Sequence, residues 1–347
     1  MTDQRAESPD VSPDVSIVIC TYNRRDHVGR TARSAIEDTK ATRPDLTIEI
    51  IIADNGPEAY GSAVAEEIAQ QTGTKVRAVR SSPPNISIAR NAGVAASTAP
   101  LVAFLDDDLL VDPGWLDGLV TTLQDTGADA VIGPVRPSFL AGSAPDWDPK
   151  AEAFTRVFDA ADGTRIHVGG PDRTKDFTVS TASSLWHRAR CFIDPEPFLP
   201  IFGVCGGEDY DLFLRLENRG RRVHWAARGG VRETVPDTRI SLGYRFLRGF
   251  SGGQVFAAIT ARNAPNPTRA MAVIMAKALL QSLGRAVLLP IALALGPKPK
   301  RYQAVVGLGL AIGKLAWWRT IPLYHMEKRA TQWSTAEGQD ARGGNGP

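Results

Sequence analysis

Three features of the 347-residue chain predict an α/β protein built on a mostly parallel sheet. Short, β-rich apolar runs alternate with helix-length patterns through the first half, the rhythm of βαβ units. Several of those runs are apolar on both faces, as strands covered by helices on both sides must be. The balance of 43% hydrophobic to 22% charged residues is that of a folded protein, and the length suffices for one large domain plus an extension.

The predicted strands are VSIVIC at 15–20, IEIIIA at 48–53, VRAVR at 76–80, LVAFL at 101–105 and DAVIG at 129–133. Helices are expected between them at about 26–38, 59–71, 86–97 and 113–125, the last with Asp112 as N-cap before Pro113. From about 134 to 175 the text is loop-like. Order resumes at FTVSTASSLWHR (177–188); GGEDYDLFLRLENRG then reads as a helix stopped by Gly220, and RRVHWA and GVRETV add two strands. The expected organisation is a disordered leader at 1–13, an α/β domain at 14–238 with halves at 14–133 and 134–238, a basic apolar helical extension at 239–330, and a disordered tail at 331–347.

The N-terminal MTDQRAESPDVSPD is polar and Pro-rich, with no apolar core of a signal peptide. Cys20, Cys191 and Cys205 are widely spaced and odd in number, which argues for a reducing compartment and against a disulfide framework or a zinc site. The net charge of +2 conceals an asymmetry: residues 239–330 hold 14 Lys or Arg against the single acid Glu327, a local +13, so the remainder carries −11. An acidic body and a basic end call for different partners.

The run FLDDDLLVDPGWL places Asp106, Asp107 and Asp108 at the end of a buried strand. Ligands of open α/β sheets bind beyond such ends, and converging carboxylates are costly without a cation. Hard oxygen donors suit Mg²⁺ or Mn²⁺, which would bridge to phosphate oxygens. The first strand runs into CTYNRRD, whose Thr21, Tyr22 and Asn23 offer hydrogen-bonding groups and a ring, with none of the glycines of a dinucleotide fingerprint. The second strand ends in ADNGP, where Asp54 either accepts hydrogen bonds from a base or ribose or closes an Asx turn. In NISIARNAG, Arg90 and Asn91 lie early in a helix, Arg90 suited to phosphate or to an acid at a neighbouring strand end. Far downstream, Glu208 and Asp209 open a helix after Gly206-Gly207; they either cap it or present a base to an attacking hydroxyl.

The ordered set SIVICTYNR, ADNG, SIARNAG, FLDDD and GGEDYDL resembles the inverting nucleotide-sugar glycosyltransferases of glycosyltransferase family 2, over roughly residues 14 to 250. The resemblance implies a GT-A fold whose first half, 14–133, binds nucleotide and whose second half, 134–238, binds acceptor. It implies nucleotide contacts at Thr21, Tyr22, Asn23, Asp54, Arg90, Asn91 and Asp106. It implies a divalent Mg²⁺ or Mn²⁺ on Asp106 and Asp108, with Asp107 in the variable middle place. Asp209 falls where the family has its base, beside Glu208. The reaction implied is a single inverting displacement on a nucleoside-diphosphate sugar. Where many relatives carry a further histidine, this chain has GVRETVPDTR; Glu233 is the nearest substitute ligand, and His224 a poorer one. Arg239, Arg245 and Arg248 follow at spacings that suit the diphosphate, the acceptor or a solvated helix.

The apolar segments 271–296 and 302–318 are interrupted by Lys277, Gln281, Arg285, Pro290 and Lys314, and end in Trp317-Trp318. That pattern predicts helices lying in an anionic membrane surface, with a packed helical domain or a full membrane span as the alternatives. The expected partners are a nucleoside-diphosphate sugar, a glycan or lipid-linked acceptor and an anionic membrane surface, with no nucleic acid. The expected location is the cytoplasmic face of the cell membrane. A sugar nucleotidyltransferase and a non-catalytic, membrane-attached nucleotide-sugar-binding protein are the competing functions.

Overall fold

The structure, a computed structural model, describes residues 12–175 and 177–322. The tail expected at 331–347, and all but the last two residues of the expected leader, lie outside the described residues. The first units are β1 (Val15–Thr21), α1 (Arg25–Thr42), β2 (Ile48–Asp54), α2 (Gly61–Thr72), β3 (Lys75–Arg80), α3 (Ile86–Ala96) and β4 (Leu101–Asp106). Every residue of β1 and of β2 is buried. Alternate side chains of β1 serve two cores: Val15, Ile17 and Ile19 pack with Val28 and Ile36 of α1, while Val18 and Cys20 pack with Ala89 and Val94 of α3. The continuous apolar runs in the sequence follow from this two-sided covering.

The chain continues through β5 (Leu109–Val111), α4 (Trp115–Thr126), β6 (Ala130–Ile132), β7 (Val135–Phe139), β8 (Arg165–Ile166), β9 (Ser183–His187), α5 (Arg188–Cys191), α6 (Glu208–Asn218), β10 (Val223–Trp225) and β11 (Val231–Val235). The main sheet runs β3-β2-β1-β4-β9-β6-β10-β8. Its first four strands are parallel, and β9 lies antiparallel between β4 and β6. A small second sheet, β5-β11-β7, stands apart. Two of its strands were not legible in the sequence. β5 is a three-residue return after the aspartates, and β7 carries Pro137 in a segment that reads as loop; both are strands because β11 pairs with them.

Asp112 does not cap α4. Gly114, in the left-handed region at φ +77°, occupies that place, and Asp38 accepts from its N–H at 2.7 Å. The Asp112 carboxylate turns instead to Arg232 at 2.7 Å.

Beyond β11 come α7 (Asp237–Ile240), α8 (Leu242–Arg262), α9 (Pro267–Leu295) and α10 (Lys298–Leu315). Val255 and Ile259 of α8 belong to the same core as α3 and α6, so the packing of the α/β body continues past residue 238. Helices α8 and α10 touch backbone to backbone at glycines four apart on each helix, Gly249 and Gly253 on α8 and Gly309 and Gly313 on α10: a Cβ on Gly253 would meet the Leu310 carbonyl oxygen at 2.2 Å, and one on Gly313 the Phe250 oxygen at 1.9 Å. Small residues at this spacing let two apolar helices approach closely.

Helix α9 is turned inside out. Gln281 accepts from Lys314 of α10 at 3.0 Å, and Arg285 lies over Gly307 of α10, so two of the polar interruptions meet a neighbouring helix. Leu280, Val287 and Leu295 face outward, each more than 70% exposed. The 29 residues run through Pro290 for about 43 Å, longer than a hydrocarbon core of roughly 30 Å.

Candidate active site

Strand register assembles the site. In the parallel sheet Thr21 stands beside Asp54, and Cys20 beside Asp106, so the ends of β1, β2 and β4 form one rim. Asp106 ends β4, and Asp107 and Asp108 make the turn into β5. Pairing of β5 with β11 then sets Glu233 opposite Leu109, and the Thr234 N–H donates to the Asp108 carbonyl at 3.0 Å.

The three aspartates have separate surroundings. Asp107 is buried; its carboxylate accepts from the Thr21 hydroxyl at 2.8 Å and from Arg24 Nη1 at 3.0 Å, and its carbonyl from Thr31 at 2.9 Å. It is therefore a fastening between β1 and β4. Asp108 receives Arg24 Nη1 at 3.2 Å and Arg239 Nη1 at 3.4 Å. Burial pushes its carboxyl up to about 7, opposed by Arg239 and reinforced by Glu233. Asp106 is the most open of the three, with one oxygen 3.3 Å from Arg90 Nη2.

Arg90 joins the two acidic motifs. Its buried guanidinium binds Glu208 on one side and Asp106 on the other, and stacks over Phe198 at 5.6 Å. Glu208 starts α6 behind Gly207, whose φ of +94° and approach to Val255 of α8 leave no room for a side chain. Burial, and then the charge of Asp209, push the Glu208 carboxyl up to about 7. Arg90 is held more firmly charged by Glu208 and Asp106, although burial opposes it. One guanidinium serves both Glu208 and Asp106, and Glu208 Oε2 is buried with no partner among the described residues, so Arg90 offsets the burial of that carboxyl only in part.

Asp209 is half-buried in the first turn of α6, its Oδ1 accepting from the Tyr210 N–H at 2.9 Å. Asp54 is buried and holds its own loop: its oxygens accept from the Gly56 and Gly61 N–H groups, each at 2.9 Å, which is the turn-closing alternative. Asn91 clamps Phe198 through both backbone groups, at 2.8 and 2.9 Å, and so shapes the segment leading to α6. Tyr22 is half-buried, and Asn23 is exposed at φ +52°. Thr21 shares its hydroxyl between Asp107 and Tyr60, each at 2.8 Å. His224 is taken up by the Gly163 carbonyl at 2.8 Å.

Glu233, expected as a ligand, has both oxygens on guanidinium groups, Arg156 at 2.6 Å and Arg239 at 3.1 Å. Among the described residues no three His, Cys, Asp or Glu side chains group as a metal cage. The oxygens at the rim nevertheless suit a hard cation that takes one or two carboxylates and completes its shell with substrate phosphate. Asp106, Asp107 and Glu233 crowd the raised Asp108 carboxyl, and arginines balance them; a bound divalent ion would share that balance. Sequence reasoning passed over Arg24, although it stands inside CTYNRRD, Tyr60, which reads as the start of a helix and nothing more, and Arg156, whose loop carries no signal.

The glycosyl transferase family 2 model matches residues 16–184. The chain is 31% identical over 270 residues to the succinoglycan biosynthesis protein ExoM of Rhizobium meliloti (strain 1021), a match covering 78% of this chain and 82% of that protein. The chain belongs to glycosyl transferase family 2. This glycosyltransferase is also 27% identical over 225 residues to the validoxylamine A glucosyltransferase of Streptomyces hygroscopicus subsp. jinggangensis (strain 5008), covering 60% of the chain and 52% of that enzyme. Among solved structures, the mannosyltransferase PcManGT from Pyrobaculum calidifontis, in complex with GDP-Man and Mn²⁺, matches with a TM-score of 0.58 at 18% identity, over 90% of this chain and 89% of that one. The fold is the GT-A type expected from the motifs.

Proposed function

We propose that this glycosyltransferase moves a sugar, with inversion, from a nucleoside-diphosphate sugar to a hydroxyl of a lipid-linked or cell-envelope glycan at the cytoplasmic face of a membrane. The observation that carries the reading is the Arg90 bridge, which ties the α6 N-terminus bearing Asp209 to Asp106 at the rim of the sheet. A base and an acidic phosphate-side cluster on one cleft are what single displacement requires.

Asp209 takes the proton of the acceptor hydroxyl as its oxygen attacks the anomeric carbon. The bond from that carbon to the diphosphate breaks, and the electron pair leaves with the nucleotide. Arg24 and Arg239, both now on the aspartates, are the cations within reach of the departing diphosphate. Asp106 and Asp108 would hold Mg²⁺ or Mn²⁺, which supplies charge neutralisation at the phosphates when bound. In this reading Glu233 orients Arg156 and Arg239. The outward apolar face of α9 and the basic charge beyond residue 239 support docking on an anionic bilayer.

A panel of UDP-, GDP- and dTDP-sugars with Mg²⁺ or Mn²⁺, read by thermal stabilisation and nucleotide release, tests the donor side. Absence of any metal-dependent response would refute it. Asp209→Asn should lower kcat by about 10²- to 10⁴-fold with the donor Kd almost unchanged; a matching loss of donor affinity would show that Asp209 is not the base.

A further inference from the structure

A cavity of about 510 Å³ opens between the loop at 145–147, the α7–α8 junction, the end of α9 and the start of α10. Its walls are Trp147, Ile240, Leu242, Leu293, Tyr302 and Val305. These walls are fixed: Trp147 stacks on Tyr302 at 3.5 Å and 5°, and the Tyr302 hydroxyl donates to the Ser241 carbonyl at 3.2 Å. The volume falls in the range of small-molecule sites, the mouth is wide open to solvent, and the lining is mostly apolar.

The rim is cationic. Arg301 gives its Nε to the Gly296 carbonyl at 2.6 Å, and its terminal nitrogens meet no partner among the described residues. Lys298 lies beside it and holds Asp146, the one acid among the lining residues, at 2.9 Å in an exposed pair of little strength. Leu293 belongs to the outward apolar face of α9. Ile240 shares α7 with Arg239, whose guanidinium rests on Asp108 and Glu233, so one wall residue and one cleft residue stand on the same short helix.

We infer that this cavity seats the lipid end of the acceptor: a long-chain lipid phosphate, with the start of its chain in the cavity, the rest along α9, and its phosphate on Arg301 and Lys298. An apolar hole supplies no reason for a phosphate, and a basic rim none for a chain; together they match an amphiphile. The short helix α7, shared by the cavity wall and Arg239, favours the carrier of the acceptor sugar over a bulk phospholipid. The inference rests on the glycosyl-transfer reading above and adds to it a place for the acceptor's lipid.

The test uses the full chain and dodecyl phosphate below its micelle concentration, followed by calorimetry, with dodecanol, inorganic phosphate and phosphatidylglycerol vesicles alongside. Saturable binding at one site is expected. Arg301→Ala, losing a charge-assisted contact, and Val305→Trp, filling the cavity, should each weaken it about tenfold, with melting temperatures unchanged. No saturable binding, equal binding of dodecanol, or binding untouched by both variants overturns the inference; so does a response to the variants seen with vesicles alone. In transfer assays both variants should raise KM about tenfold for a lipid-phosphate-linked acceptor and leave a tail-free acceptor unaffected. Dodecyl phosphate binding that follows the variants, in a protein that turns over no donor with any acceptor, would count against the proposed reaction and leave the cavity assignment standing.

Discussion

Replacing Arg90 by alanine tests the bridge on which the site depends. The guanidinium is buried, contacts Glu208 and Asp106, and covers the Phe198 ring. Among the described residues Glu208 Oε2 already lacks a partner, so the variant strands a buried carboxyl. Breaking one side of a buried pair costs about 3–5 kcal/mol, and lost contact with Phe198 adds to it. Above about pH 8, where Glu208 is ionised beside Arg90, the variant should therefore unfold about 3–5 kcal/mol more easily, read by urea denaturation. Because a proton on Glu208 relieves the stranded charge, the deficit should shrink as pH falls through about 7 and change little below it. Adding Glu208→Gln should recover part of the loss, with a coupling of about 1–3 kcal/mol in the double-mutant cycle. A deficit below about 1 kcal/mol, or additive single effects, would refute the bridge as the link between the sheet rim and α6.

Two further outcomes follow from the same geometry. Burial holds the Glu208 carboxyl near 7 against 4.5 for an ordinary glutamate. The folded state therefore binds the extra proton between those values, so this group's contribution is full below about pH 4.5 and lost as pH rises through about 7, by about 3 kcal/mol at most; melting temperatures of the protein and of Glu208→Gln across this window should diverge, and parallel curves would contradict the shift. On α9, Leu280→Glu with Val287→Glu changes side chains that touch little protein, so melting should hold while affinity for anionic liposomes falls at least tenfold; undiminished liposome binding would remove the membrane from the proposal.

Much of the site was legible because its residues sit at the ends of strands whose apolar runs are unmistakable. Thr21, Asp54 and Asp106 follow VSIVIC, IEIIIA and LVAFL directly, and parallel pairing makes such ends neighbours. What the side chains do there was less legible. Asp54 and Asn91 spend their polar groups on loops, and Asp107, the apparent spacer of the acidic run, is the best fastened of the three. A residue type announces the bonds it can make, and only the fold decides which partner arrives first.

The sequence by itself determined the α/β class, because burial on both faces of a strand demands apolar residues at every position. It also determined the separation into an acidic body and a basic, apolar end. The tertiary structure alone decided that Arg90 would bridge Glu208 and Asp106, residues 118 and 16 positions away, and that β11 would bring Glu233 and Arg239 onto Asp108. It also turned Gln281 and Arg285 of α9 toward α10 and left the leucines outside. The reason is common to all three. Periodicity is a local property written in adjacent residues, whereas a cleft depends on register and crossing between distant elements, which the chain acquires only when its cores close.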